Sequence, residues 1–185
     1  QKLWCIDRGS DFCHQYGFKP NFVVGDLDST CSSTVNWLIE NNINIEQHEV
    51  DKDFTDTQLA IDKLSKFENP FAIITGAFGG RFDHLFSTIF SCANAKINNC
   101  LVDEQEAILF IHDGENLKIK FNDKPNAISL LPISPICEGV TIDGVHWNLE
   151  FANLYQTLPN AISNRVESEK IYISISHGKR SCQSK

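Results

Sequence analysis

In the first half of the chain apolar residues come in short unbroken runs, and in the second half they alternate with polar ones. Trp4-Cys5-Ile6, Phe22-Val23-Val24 and Phe71-Ala72-Ile73-Ile74 read as buried strands. Between them, Val35 to Ile39 and the stretch from Thr57 to Phe67 carry helical spacing, the latter with Leu59, Lys63, Leu64 and Phe67 along one side. Thr55 with Gln58 three residues on forms a capping-box signature, which predicts a helix start there. Runs and helices in alternation predict a parallel sheet covered by helices, an α/β domain over residues 1–105. Beyond Asp103 the period becomes two. Leu117 to Phe121 and Ile171 to Ile175 alternate apolar with polar residues, with turn-like segments at His112 to Glu115 and Asn122 to Asn126. Residues 106–185 are therefore predicted to form an antiparallel β domain.

Charge narrows the partners. With 24 acidic against 16 basic residues, the net charge of -8 repels nucleic acid, although a phosphate ligand remains possible if a divalent cation bridges it to the protein. No apolar run reaches the ~20 residues of a membrane span and the start is no signal peptide, so the expectation is a cytoplasmic protein. Seven cysteines, an odd number without a C-x-x-C pair, indicate reduced thiols rather than a disulfide framework or a zinc site. A chain without Met that opens directly on a strand-like run leads to the expectation that part of the N-terminus is missing.

Candidate chemistry lies where strands end, as in open α/β sheets generally. Asp7-Arg8-Gly9-Ser10 follows the first run, and an Asp there serves equally as a turn former. Gly25-Asp26-Leu27-Asp28-Ser29 follows the second. If extended, it directs Asp26 and Asp28 to one side, as a hard-oxygen pair for Mg2+ or as a solvated turn. Lys52-Asp53-Phe54-Thr55-Asp56 enters the next helix, where Asp56 also suits the helix dipole. In Gly76-Ala77-Phe78-Gly79-Gly80-Arg81-Phe82-Asp83-His84 the glycines admit close backbone approach and Arg81 offers a fork for phosphate, although packing could also require glycine. Neither a Walker A loop nor a G-x-G-x-x-G fingerprint is present. Carboxylates with one arginine suit metal-assisted phosphoryl chemistry.

Taken in order, Asp7-Arg8-Gly9, Gly25-Asp26-Leu27-Asp28-Ser29, Asp53-Phe54-Thr55-Asp56 and Gly79-Gly80-Arg81-Phe82-Asp83-His84 resemble the motif series of thiamine pyrophosphokinases, with the bacterial type nearer. Gly144-Val145-His146-Trp147-Asn148-Leu149 and Ile162-Ser163-Asn164 are similar to the family's later motifs. His146 and Arg165 depart from its usual Lys and acidic residue, and the chain begins near the family's second strand. The resemblance implies an α/β domain binding Mg-ATP followed by a β-sandwich domain, and a homodimer with thiamine at the subunit interface. It implies that Asp26, Asp28 and Asp56 hold Mg2+, with Asp53 also catalytic and Thr55 beside it. Asp7, Arg8, Gly9, Gly79, Gly80, Arg81, Asp83 and His84 would face the nucleotide, and Trp147, Ser163 and Asn164 the thiamine. Two rival expectations are a metal-dependent phosphohydrolase using Asp83, His84 and the Asp26/Asp28 pair, and a binding sensor of the same fold without turnover.

Overall fold

The structure is a computed structural model that describes residues 1–48, 53–178 and 180–184. Lys52 of the third loop lies outside the described residues. Two compact units divide at Glu68/Asn69.

The first unit runs β1 (Trp4–Ile6), α1 (Gly9–Tyr16), β2 (Phe22–Val24), α2 (Ser32–Glu40), β3 (Asn44–Glu46) and α3 (Asp56–Leu64). Its three strands pair in parallel in the order β1-β2-β3. A central strand covered on both faces needs apolar residues at every position, which is why Phe22-Val23-Val24 is unbroken. Val23 points to one face with Cys5, Cys13 and Leu38, while Phe22 and Val24 meet Ala60 of α3 on the other. The Thr55 capping box forms as the sequence predicts. Thr55 Oγ1 accepts from Gln58 N at 3.3 Å and Thr55 N donates to Gln58 Oε1 at 2.8 Å. The helix is shorter than its apolar spacing suggests, because Ser65 Oγ donates to the Asp62 carbonyl at 2.6 Å and sits at the C-cap. Lys63, on the expected apolar side, holds its ammonium 4.3 Å from the Phe22 ring centre and bonds to Glu46.

The second unit contains β4 (Phe71–Ile74), α4 (Phe82–Ala93), β5 (Asn98–Val102), β6 (Ala107–Ile111), β7 (Asn116–Lys120), β8 (Ala127–Pro132), β9 (Ile136–Asp143), β10 (Leu149–Tyr155), β11 (Asn164–Arg165), β12 (Lys170–Ser174) and β13 (Arg180–Ser184). A six-stranded sheet, β11-β8-β13-β6-β5-β4, and a four-stranded sheet, β10-β9-β12-β7, form a sandwich. Its core joins Ile111, Ile128 and Leu130 of the first to Val140, Ile142, Ile171 and Ile173 of the second.

The change of period near residue 103 marks a hairpin. Asp103 Oδ1 accepts from Gln105 N and Glu106 N, each at 2.8 Å, and β5 turns back antiparallel onto β6. Since β4 pairs in parallel with β5, these two strands of the α/β half belong to the six-stranded sheet, and the compact units divide at 68/69.

Candidate functional site

The first unit gathers aspartates at the carboxyl ends of its strands. Asp7 follows β1 with φ 42°, its amide bonded to the Val24 carbonyl at 3.0 Å and its own carbonyl accepting from the buried Ser10 hydroxyl at 2.6 Å. That turn carries the Asp7 carboxylate over buried Gly25, whose φ is 142°. Asp7 Oδ1 is buried and has no hydrogen-bond partner among the described residues. Burial first, and then the carboxylates of Asp56 and Asp26, push Asp7 up to a pKa of about 7.

Asp26 and Asp28 do converge, but not through an extended segment. Leu27 between them is left-handed at φ 63°, a conformation that costs a residue other than glycine about 1–3 kcal/mol. Its side chain is held by the Cys5, Cys13, Val23 and Leu38 cluster, which fixes the turn. Asp28 N then donates to Asp26 Oδ1 at 3.0 Å. A hydrogen bond to the Asp26 carboxylate and its charge raise the pKa of the exposed Asp28. Asp56 opens α3 beside the same turns, near enough to Asp7 to share a hydrogen bond. Asp53 is exposed just before it, and exposed Thr55 is occupied by its cap. Arg8 is exposed at the start of α1, and Gly9 is its first residue.

Carboxylates held this close repel when ionised, and a cation between them relieves that repulsion. Among the described residues no three His, Cys, Asp or Glu side chains stand ready as a complete ligand set. Mg2+ does not require one, since it keeps several waters and takes one or two carboxylates with substrate phosphates. The Asp26/Asp28 pair and the orphaned Asp7 Oδ1 fit that demand.

In the second unit the loop between β4 and α4 carries Gly76, Gly79 and Gly80. A Cβ at any of the three would meet no atom within 4 Å, so packing does not explain them. Gly76 at φ 75° and Gly79 at φ 77° do need glycine for their backbone. Arg81 stands at the N-cap position of α4 and directs its fork to Asp83, with Nε to Oδ1 at 3.1 Å and Nη2 to Oδ2 at 2.5 Å. Asp83 Oδ1 also accepts from His84 N at 3.0 Å. The guanidinium holds the Asp83 carboxyl below the usual carboxylate range.

Trp147 lies on the connection from β9 to β10 and is 62% exposed, so it is not a core aromatic. Its backbone is clamped by buried Asn164, whose Oδ1 accepts from Trp147 N at 3.0 Å and whose Nδ2 donates to Trp147 O at 2.8 Å. Ser163 has φ 55° and donates its amide to Ser129 Oγ at 3.0 Å. His146 stands edge-on to Trp147 with ring centres 4.7 Å apart. Glu167 is a residue that sequence reasoning missed. Its Oε1 lies 2.8 Å from His146 Nδ1 and 2.9 Å from Arg165 Nη2, and these bonds keep its own pKa low. Its spacing of two from Arg165, on the same side of an extended segment, was the available signal.

Known proteins match nearly the whole length. The family model described as thiamin pyrophosphokinase, catalytic domain, matches residues 1–102, and that of the vitamin B1 binding domain matches residues 116–179. A thiamine pyrophosphokinase of Bacillus subtilis is 25% identical over 180 residues, covering 95% of this chain and 84% of its own. Thiamine pyrophosphokinase 1 of Oryza sativa is also 25% identical, covering 85% of this chain but 63% of its own. The crystal structure of the Bacillus subtilis protein superposes with a TM-score of 0.85 at 25% identity, over 98% of this chain and 86% of that one. That of Candida albicans reaches 0.84 at 15% identity, over 100% of this chain and 82% of that one, and supports the fold alone.

Proposed function

Because this chain belongs to the thiamine pyrophosphokinase family, we propose that it transfers pyrophosphate from Mg-ATP to the hydroxyl of thiamine, releasing AMP and thiamine diphosphate. The observation that carries this reading is the grouping of Asp7, Asp26, Asp28 and Asp56, where burial and then its carboxylate neighbours raise the pKa of Asp7, and Asp26 raises that of Asp28. Asp26, Asp28 and Asp56 are the residues that would hold Mg2+. When bound, the ion offsets phosphate charge as the bond to AMP breaks.

The chain's own work is positioning. The Leu27 turn, seated in its apolar cluster, holds Asp26 and Asp28 in register. Asp53 and Thr55 stand at the entrance of α3, and Asp7 with Arg8 and Gly9 lies at the turn into α1. Open space over Gly79 and Gly80 leaves room for phosphate oxygens near Arg81, Asp83 and His84. Thiamine, a cation, is attracted by a chain of net charge -8 and offered the exposed face of Trp147 beside Ser163 and Asn164.

This reading has the protein as a cytoplasmic homodimer with thiamine at the subunit interface. No helix among the described residues is long and apolar enough to cross a membrane. A phosphohydrolase with a dinuclear centre draws no support from the matched family models, and Asp83 is engaged by Arg81. Nothing among the comparisons favours a sensor without turnover. The test is product analysis with ATP, MgCl2 and thiamine. AMP and thiamine diphosphate in equal amounts are expected, whereas phosphate release independent of thiamine would overturn the reading.

A further inference from the structure

Cys5 on β1 and Cys13 on α1 are both buried, with their sulfur atoms 3.2 Å apart. They bracket the turn Asp7-Arg8-Gly9, and nothing in the proposed reaction uses them. A disulfide needs a sulfur separation of about 2.05 Å, so closing the pair takes a movement of about 1.2 Å. Cys31 is exposed, whereas Cys92, Cys100 and Cys137 are buried.

We infer that Cys5 and Cys13 form a reversible disulfide, an oxidative modification site that tethers the β1–α1 turn and through it the Asp7 carboxylate. With a peroxide as oxidant, one thiolate attacks an oxygen and becomes a sulfenic acid as the first water leaves. The second thiol then attacks that sulfur, the S–S bond forms and a second water departs. Two thiols lose two electrons and two protons to one peroxide. With a small-molecule disulfide the same pair exchanges, releasing two thiols.

Burial, and then the neighbouring Cys13, hold the Cys5 thiol far above its ordinary pKa. The pair therefore stays reduced unless α1 opens. That helix has only eight residues and leaves Phe12 and Tyr16 each 64% exposed, but Ser10 and Cys13 are buried and His14 stacks on Trp37, so opening is an infrequent local excursion that has to break these contacts. Once one sulfur is oxidised, its partner is already in contact. Asp7 would feel the closure because it lies within the nine-residue ring from 5 to 13 and is seated against Gly25. The covalent part of this inference stands independently of the enzymatic reading, and its effect on cation binding rests on that reading.

The experiment treats the full chain with hydrogen peroxide or oxidised glutathione, blocks remaining thiols and digests with trypsin. Cleavage after Arg8 separates Cys5 from Cys13, so a disulfide appears as two peptides joined with the loss of two hydrogens. Cys31 shares a peptide with Cys13, because Lys19 precedes Pro20 and resists trypsin. The joined species is expected in Cys31→Ser and absent in Cys13→Ser. Its absence from the unaltered protein under conditions that oxidise exposed Cys31 overturns the inference, as does a joined species that persists in Cys13→Ser. In a second arm, MgCl2 should raise the unfolding temperature of the reduced protein more than that of the oxidised one, with dithiothreitol restoring the difference. An equal rise in both states overturns the link to Asp7. No rise in either, with the disulfide formed, leaves the disulfide standing and counts against the cation reading of the aspartates.

Discussion

The Asp7 carboxylate fills the space that any side chain at position 25 would need: a Cβ built on Gly25 would lie 1.8 Å from Asp7 Oδ1. Gly25→Ala therefore forces out the carboxylate and asks alanine for φ 142°. A loss of stability above about 1 kcal/mol is expected. Thermal unfolding measures it, and Mg2+ should stabilise the variant less than the parent.

Asp28 is exposed and contributes little to packing. Asp28→Ala should leave the unfolding temperature nearly unchanged while lowering turnover by about 10²–10³, the usual loss when one electrostatic element of a transition state is removed. Asp26→Ala should cost a similar factor, and on the proposed reading, in which both serve one metal site, the double variant should cost less than the product. Near-normal turnover of Asp28→Ala at saturating Mg2+ would remove it from the chemistry.

The protonation of Asp7 gives stability a definite slope. Its pKa is raised from 3.8 to about 7, so the folded protein keeps a proton that the unfolded chain has released. The stabilisation is complete below a pH of about 4 and is lost as pH rises through about 7. Without divalent cation, the unfolding temperature should fall across that window. Mg2+ should oppose the fall at its upper end, where the carboxylates are charged, and Asp7→Asn should flatten it. A cation-free profile that rises over the same window would contradict the assignment.

Trp147 and Asn164 separate binding from support. Trp147→Ala removes an exposed ring and should leave stability within about 0.5 kcal/mol. It should weaken thiamine binding by roughly 0.5–2 kcal/mol, or about 2- to 30-fold. Asn164→Ala strips two hydrogen bonds from the Trp147 backbone and should cost stability, on the order of 1–3 kcal/mol, together with thiamine affinity. Separate titrations of thiamine and ATP, with unfolding curves on both variants, distinguish the roles. Equal loss of ATP affinity in Trp147→Ala would argue against a thiamine contact.

Much of the fold was legible where one local rule decides. Phe22-Val23-Val24 announces a strand buried on both faces, and Thr55 with Gln58 announces a helix start. The β5–β6 hairpin was not legible, because Asp103 makes the turn with its side chain and no glycine marks it. Neither was the left-handed Leu27, a residue chosen by packing in the core rather than by turn propensity. The approach of Asp26 to Asp28 was therefore anticipated for the wrong reason. The Asp83 partner of Arg81 lay in plain sight two residues away, yet composition does not tell whether a fork is open to ligand or already occupied.

The β5–β6 pairing makes the last two strands of the α/β half thermodynamic members of the sandwich. A cut between β5 and β6 would leave each as a raw edge of a divided six-stranded sheet. In amide exchange the strand that leads into the Gly76–Asp83 loop should gain and lose protection with β6 and β13, on a schedule separate from that of β1, β2 and β3.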